Sequence, residues 1–123
     1  MPAAGRWWVI VTMSDAQSLT RDQRRSIAYN HAVVEVLRRD PERVLAVARQ
    51  NLRRLKEMHP HATPILRVWE RALTLPLDEL TERMLPADAE ACEMRHASPF
   101  AGVLDAATRT RVIREFQAAE RAP

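Results

Sequence analysis

Cysteine, glycine and lysine are scarce in this chain, which has one cysteine, two glycines and a single lysine in 123 residues. The lone Cys92 excludes an intramolecular disulfide, so we expect a reducing, cytoplasmic location. The scarcity of glycine and of threonine, tyrosine and phenylalanine argues against a fold of many strands and tight turns. Apolar runs stay below the ~18 residues of a membrane-spanning helix, so we expect no membrane association.

Alanine, leucine, arginine and glutamate are abundant, and all four favour helices. Hydrophobic residues make up 46% and charged residues 28% of the chain, as in an ordinary folded domain. Residues 41–58 show the clearest helical pattern, because Leu45, Ala48, Leu52 and Leu55 recur at three- and four-residue spacing. The sequence therefore predicts an all-α fold, a compact bundle of about five helices.

Cap-like residues predict where several helices begin: Thr20, Asp40, Thr63 and Asp105. Two of them, Asp40 and Thr63, precede a proline, which suits the first helical position. On the last helix, Val112, Ile113 and Phe116 are expected to share the buried side.

Residues 1–12 match none of these helices. Their apolar run, Trp7–Val11, is shorter than the 7–15 residues of a signal-peptide core, and Met13 offers an alternative start. We therefore expect a loose, apolar N-terminal arm or upstream extension over residues 1–12, followed by a single helical domain over residues 13–123.

The segment Ser98–Leu104 is an apolar loop between two helices. Pro99 stiffens its start and Gly102 permits an unusual backbone angle, while Phe100 and Val103 supply apolar surface. Such a loop either staples the last helix to the core or presents anchors to a partner, and both interpretations stay open at this stage.

Other candidate partner contacts lie at the two ends of the chain. Trp7 and Trp8 are adjacent, so they cannot both face one core in regular structure, and one is free to dock on another chain. Arg111 and Arg114 share the side of the last helix opposite Phe116. With Phe100 and Val103, these are the predicted partner-binding residues.

Three constellations with catalytic or metal-binding residue types have simpler explanations. Cys92 and His96 could act as nucleophile and base, but no glycine-rich turn accompanies them. His59 and His61 lack the one-face spacing of a helical metal pair, and the acidic residues between 78 and 93 suit solvated helix faces. We predict a non-enzyme with no catalytic residues, no metal and no cofactor.

Arginine supplies 18 of the 19 Lys and Arg residues, although the net charge is only +3. Its planar fork of donors recognises phosphate and carboxylate groups. Arg24 and Arg25, with Arg53 and Arg54, form basic rows that could follow a nucleic-acid backbone, or simply solvated faces. No helix-turn-helix signature lies between residues 20 and 60.

Three segments carry a family resemblance: residues 24–33, residues 69–73 with 76–80, and residues 98–104. Together they resemble small actinobacterial regulator-like proteins associated with the antitoxin half of type II toxin–antitoxin pairs. The similar region spans residues 18–116. The resemblance implies a helical protein that neutralises a toxin enzyme by wrapping or plugging it, with a nucleotidyltransferase as one toxin class.

We therefore expect an antitoxin-like, non-catalytic protein whose partner is a cognate toxin and which acts by occluding the toxin's site. The alternative is a DNA-binding transcriptional regulator that uses the arginine-rich faces. Both DNA binding and oligomer formation stay open.

Overall fold

The chain folds into a bundle of helices in a computed structural model that describes residues 19–122. The described part contains six α-helices and one 3-10 turn, and no strand. In chain order these are α1 (Arg21–Arg39), α2 (Pro41–Met58), the 3-10 turn (Pro60–Ala62), α3 (Thr63–Ala72), α4 (Leu77–Met84), α5 (Ala89–His96) and α6 (Ala106–Arg121). The all-α prediction is confirmed, and the count is six rather than about five. The predicted arm over residues 1–12 lies outside the described residues.

Two of the four predicted helix caps form as expected. Thr20 and Gln23 make a reciprocal capping box, in which the Gln23 backbone N–H donates to Thr20 Oγ1 at 3.1 Å and the Thr20 N–H donates to Gln23 Oε1 at 2.9 Å. Asp105 accepts from the backbone N–H of Thr108 at 2.7 Å and so begins α6.

The other two predicted caps do not form. Asp40 occupies the N-cap position of α2, but its carboxylate accepts from Arg43 Nε at 2.9 Å and caps no backbone N–H. Thr63 lies inside α3, where its hydroxyl donates to the Pro60 carbonyl at 2.7 Å. In both cases a group three residues away, Arg43 Nε for Asp40 and the Pro60 carbonyl for Thr63, binds the side chain in place of a backbone N–H.

The main core lies among the first five helices and centres on Trp69 of α3. The indole N–H of Trp69 donates to the Met94 carbonyl at 2.7 Å, and its ring forms an edge-to-face pair with that of Phe100, with centroids 5.6 Å apart. Within the predicted stripe of α2, Ala48 and Leu52 are buried, whereas Leu45 and Leu55 are partly exposed. The middle of the stripe is therefore buried, and its two ends are partly exposed.

The loop over residues 98–104 is packed against this core. Phe100 is 0% and Val103 4% exposed, so both side chains pack into the core and hold the loop against it. Gly102 adopts φ of +81°, a left-handed angle that glycine tolerates best. Asn51 of α2 donates to the carbonyls of Pro99 and Ala101, each at 2.9 Å.

Helix α6 packs against α1 through a second, smaller core that includes Phe116, Ile27 and Leu19. Arg24 of α1 forms a two-pronged ion pair with Glu120 of α6, at 2.7 and 2.8 Å. Ile113 was expected on the buried side but is 42% exposed. Helix α6 buries mainly the side that faces α1, so fewer of its apolar residues are buried than the sequence pattern predicts.

Candidate functional site

A half-open groove of about 610 Å³ runs between α1, α5, the 98–104 loop and α6. Its volume falls within the roughly 300–1,000 Å³ typical of ligand sites. We call it the α1–α6 groove. Its wall is mostly apolar and includes Tyr29, Cys92, Phe100, Val112 and Ile113. Its polar side chains include Asp22, Arg25, Asn30, Arg95 and His96.

Helical periodicity places these side chains side by side. On α1, positions 22, 25, 26, 29 and 30 recur at three- and four-residue spacing and therefore share one face. On α5, positions 92, 95 and 96 do the same. The loop then contributes its buried Phe100, and α6 contributes two adjacent apolar residues, Val112 and Ile113.

Arg95 is the most unusual residue of the groove, because the residue is charged and yet only 6% exposed. Nη1 donates to the carbonyls of Met84 and Pro86 at 3.0 and 2.7 Å, and Nη2 lies 3.3 Å from Cys92 Sγ. Nε is buried without a hydrogen-bond partner among residues 19–122. Burial lowers the pKa of Arg95 below its ordinary value, and the nearby Cys92 and Asp88 oppose that effect.

Asn30 is a second buried polar residue in the groove, 3% exposed. Its amide nitrogen donates to the Ser26 carbonyl at 2.8 Å, while Oδ1 has no partner within the described part of the chain. Buried polar atoms are nearly always paired. Two buried polar atoms of groove residues, the donor Nε of Arg95 and the acceptor Oδ1 of Asn30, therefore have no hydrogen-bond partner within residues 19–122.

The rim of the groove combines polar and charged side chains with one exposed apolar residue. Asp22 and Arg25 form a loose, exposed pair at 3.7 Å, and His96 is exposed. Ile113 is one of two large apolar side chains that the described residues expose; the other is Met58 on α2. Burial raises the pKa of Tyr29, and the charge of Arg109 opposes this shift.

Cys92 and His96, the predicted nucleophile–base alternative, both line the groove but serve other contacts. The Cys92 thiol lies beside Arg95 and 3.8 Å from the Ala87 carbonyl, with no hydrogen bond to His96. Among residues 19–122, no group of three His, Cys, Asp or Glu side chains is placed to hold a metal ion.

The structure disperses the predicted partner-binding residues. Phe100 and Val103 are buried, which favours the stapling interpretation of the loop; of the two, only Phe100 lines the groove. Arg111 and Arg114 are exposed on α6, and Arg111 lies 3.6 Å from Glu115. Trp7 and Trp8 lie outside the described residues.

Of the four arginines predicted to contact nucleic acid, only Arg24 is partly buried. Its guanidinium pairs with Glu120, and hydrogen bonding to that carboxylate raises the pKa of Arg24. Arg25, Arg53 and Arg54 are exposed. Arg24 is therefore used to join α1 and α6 and is a poor phosphate ligand.

Sequence reasoning missed Asn30 and Arg95. One signal could have found Asn30: it follows Ile27 by three residues and precedes Val34 by four, so it interrupts the apolar face of α1. Arg95 follows Cys92 by three residues, but the apolar periodicity of that helix is too weak to indicate a buried face.

Comparison with known proteins adds no assignment, since no protein-family model, no curated protein and no solved structure matches the chain. Within residues 19–122, none of the helices is both long and apolar enough to cross a membrane.

Proposed function

We propose that this protein is a non-catalytic, antitoxin-like binding protein that neutralises a cognate toxin enzyme by taking an apolar segment of it into the α1–α6 groove. The observation that carries the proposal is the exposed Ile113 at the mouth of an apolar groove. Exposed apolar surface framed by charged residues is typical of protein interaction sites. Grooves between helices commonly receive the apolar face of a partner helix.

The surroundings of Ile113 suit the centre of an interface. A stable complex buries about 1,200–2,000 Å² in total, which is more than the groove alone supplies. The exposed side of α6 extends the surface and carries Arg111 and Arg114, which flank Ile113 in sequence. Arginine is enriched at protein interfaces, so this exposed side of α6 suits a contact with the toxin outside the groove.

Occlusion requires no chemistry from this chain, in keeping with the contacts of Cys92. A side chain that could serve as a nucleophile lies against Arg95 and the Ala87 carbonyl, without a hydrogen bond to a base. The loop retains a role in this proposal, since the buried Phe100 supports the groove from within.

The test is co-expression with the product of the adjacent gene, followed by affinity measurement and an assay of toxin activity. Ile113→Asp should weaken the complex by at least about 30-fold, or ~2 kcal/mol, the loss expected for a central interface residue. It should also release toxin activity. Met58→Asp is the matched control, because Met58 is 63% exposed on α2, away from the groove. Equal affinities for wild type and Ile113→Asp would refute the proposal.

A DNA-binding regulator is the second candidate, favoured by the exposed Arg25, Arg53 and Arg54. If three phosphates were neutralised, raising salt from 50 to 200 mM would weaken binding by about 40-fold. An apolar toxin interface would respond far less. A salt titration with the toxin and with promoter DNA therefore separates the two functions.

A further inference from the structure

Arg95 is a buried cation without a counter-ion in the described part of the chain. A guanidinium has five N–H donors. Two meet the carbonyls of Met84 and Pro86 and one faces the Cys92 sulfur, while Nε is buried without a partner among residues 19–122. Asp88, the acidic group with an electrostatic effect on Arg95, is exposed and caps α5 by accepting from Ala91 N at 2.9 Å.

A buried charge is costly unless an opposite charge and hydrogen bonds compensate it. Backbone carbonyls satisfy part of the hydrogen bonding of Arg95 but carry no net charge. Because Arg95 lines the α1–α6 groove, an anion entering the groove would supply what the chain does not. Arg25 at the rim adds a second positive charge on the same groove.

Other features of the groove limit what kind of anion fits. The wall formed by Phe100, Val112 and Ile113 is apolar, which favours a hydrocarbon chain or ring. The unpartnered Oδ1 of Asn30 and the carboxylate of Asp22 both disfavour a second negative charge. A compact, highly charged ion such as phosphate therefore suits the groove poorly.

We propose that the α1–α6 groove binds a small amphipathic monocarboxylate, with its carboxylate towards Arg95 and Arg25 and its apolar part on Val112 and Ile113. This ligand site goes beyond the proposed toxin contact. The two share the groove, so such a ligand would compete with a partner segment.

The test uses the free 123-residue chain without a toxin, so the result is separable from toxin binding. Sodium octanoate, 1-octanol and octylammonium chloride are titrated below their micelle-forming concentrations, and binding is followed by two-dimensional amide NMR. Octanoate should saturate one site and shift amides of α1, α5 and α6. Octanol and octylammonium should bind at least 10-fold more weakly.

Variants then locate the site. Ile113→Asp places a like charge at the mouth and should weaken octanoate binding at least 10-fold, whereas Met58→Asp should leave it unchanged. Arg25→Gln, at an exposed position, should weaken octanoate and leave octanol unaffected. Arg95→Lys keeps the charge but loses the planar fork of donors, so it should weaken octanoate binding and leave octanol binding unaffected, with its fold checked by circular dichroism.

Three results would overturn the proposal. Octanol binding as tightly as octanoate would mean apolar capture without recognition of the carboxylate. Equal weakening by Met58→Asp and Ile113→Asp would mean non-specific adsorption. Absence of saturation by octanoate up to millimolar concentration would mean that the groove does not take this class of ligand.

Discussion

Truncation of Phe100 to alanine tests whether the 98–104 loop is part of the core. Phe100 is fully buried and meets Trp69 edge to face, with ring planes 74° apart. Removing a buried phenylalanine costs about 3–5 kcal/mol, and loss of the aromatic pair, worth about 0.5–1.5 kcal/mol, is part of that cost. We therefore expect the free energy of unfolding to fall by about 4 kcal/mol.

The assay is urea denaturation followed by circular dichroism at 222 nm. With a denaturant slope of about 2 kcal/mol per molar, the midpoint should fall by about 2 M. Ala101→Ser is the matched control, because Ala101 is an exposed neighbour in the same loop and should change stability by less than about 0.5 kcal/mol. A loss below about 1 kcal/mol for Phe100→Ala, at an unchanged slope, would refute the core role of the loop.

Three further predictions concern the helices. Leu52→Ala should cost about 2–5 kcal/mol in urea denaturation, since Leu52 is buried mid-stripe on α2; a loss under 0.5 kcal/mol would mean that this face is not core. Burial, aided by the charge of Arg95, lowers the pKa of His31 to about 4, so the unfolded chain takes up the proton first and stability should fall as the pH drops from about 6.5 to 4. Across this range the urea midpoint should fall less in His31→Gln than in the wild-type chain. In His61→Gln, whose histidine is exposed, it should fall as much as in the wild-type chain. Hydrogen bonding to Arg24 lowers the pKa of Glu120, so its contribution is fully present above about pH 4.5 and is lost as the pH falls through the lowered pKa. Glu120→Gln should cost about 1–3 kcal/mol at pH 7 and progressively less as the pH falls below about 4.5, and a cost that does not change with pH would contradict the ion pair's role.

The helical fold could be predicted because local signals and the apolar pattern agree along most of the chain. Residues 41–58 show this well, since the proline at the start and the leucine repeat both indicate the helix that forms. Thr20 and Asp105 cap helices because their partners lie three residues along the same chain. Local interactions of this kind are legible in sequence.

The candidate site could be predicted only in part, because it depends on contacts between distant residues. The exposure of Ile113 follows from how much of α6 its neighbours cover, which no local pattern of α6 contains. The burial of Arg95 depends on the carbonyls of Met84 and Pro86, eleven and nine residues away. The loop was recognised as apolar, but only the packing on Trp69 decides between staple and anchor.

Asn51 links α2 to the 98–104 loop through one side chain, and this has a consequence for how related sequences can vary. A side-chain amide has two N–H donors, and here both are engaged, one by the Pro99 carbonyl and one by the Ala101 carbonyl. Aspartate at position 51 would place carboxylate oxygens next to the two carbonyl oxygens, which would repel them. Leucine would leave both carbonyls without a hydrogen-bond donor. In homologues we therefore expect position 51 and the loop to co-vary: asparagine should persist where the loop keeps its length and its glycine, and should be replaced where the loop is rebuilt.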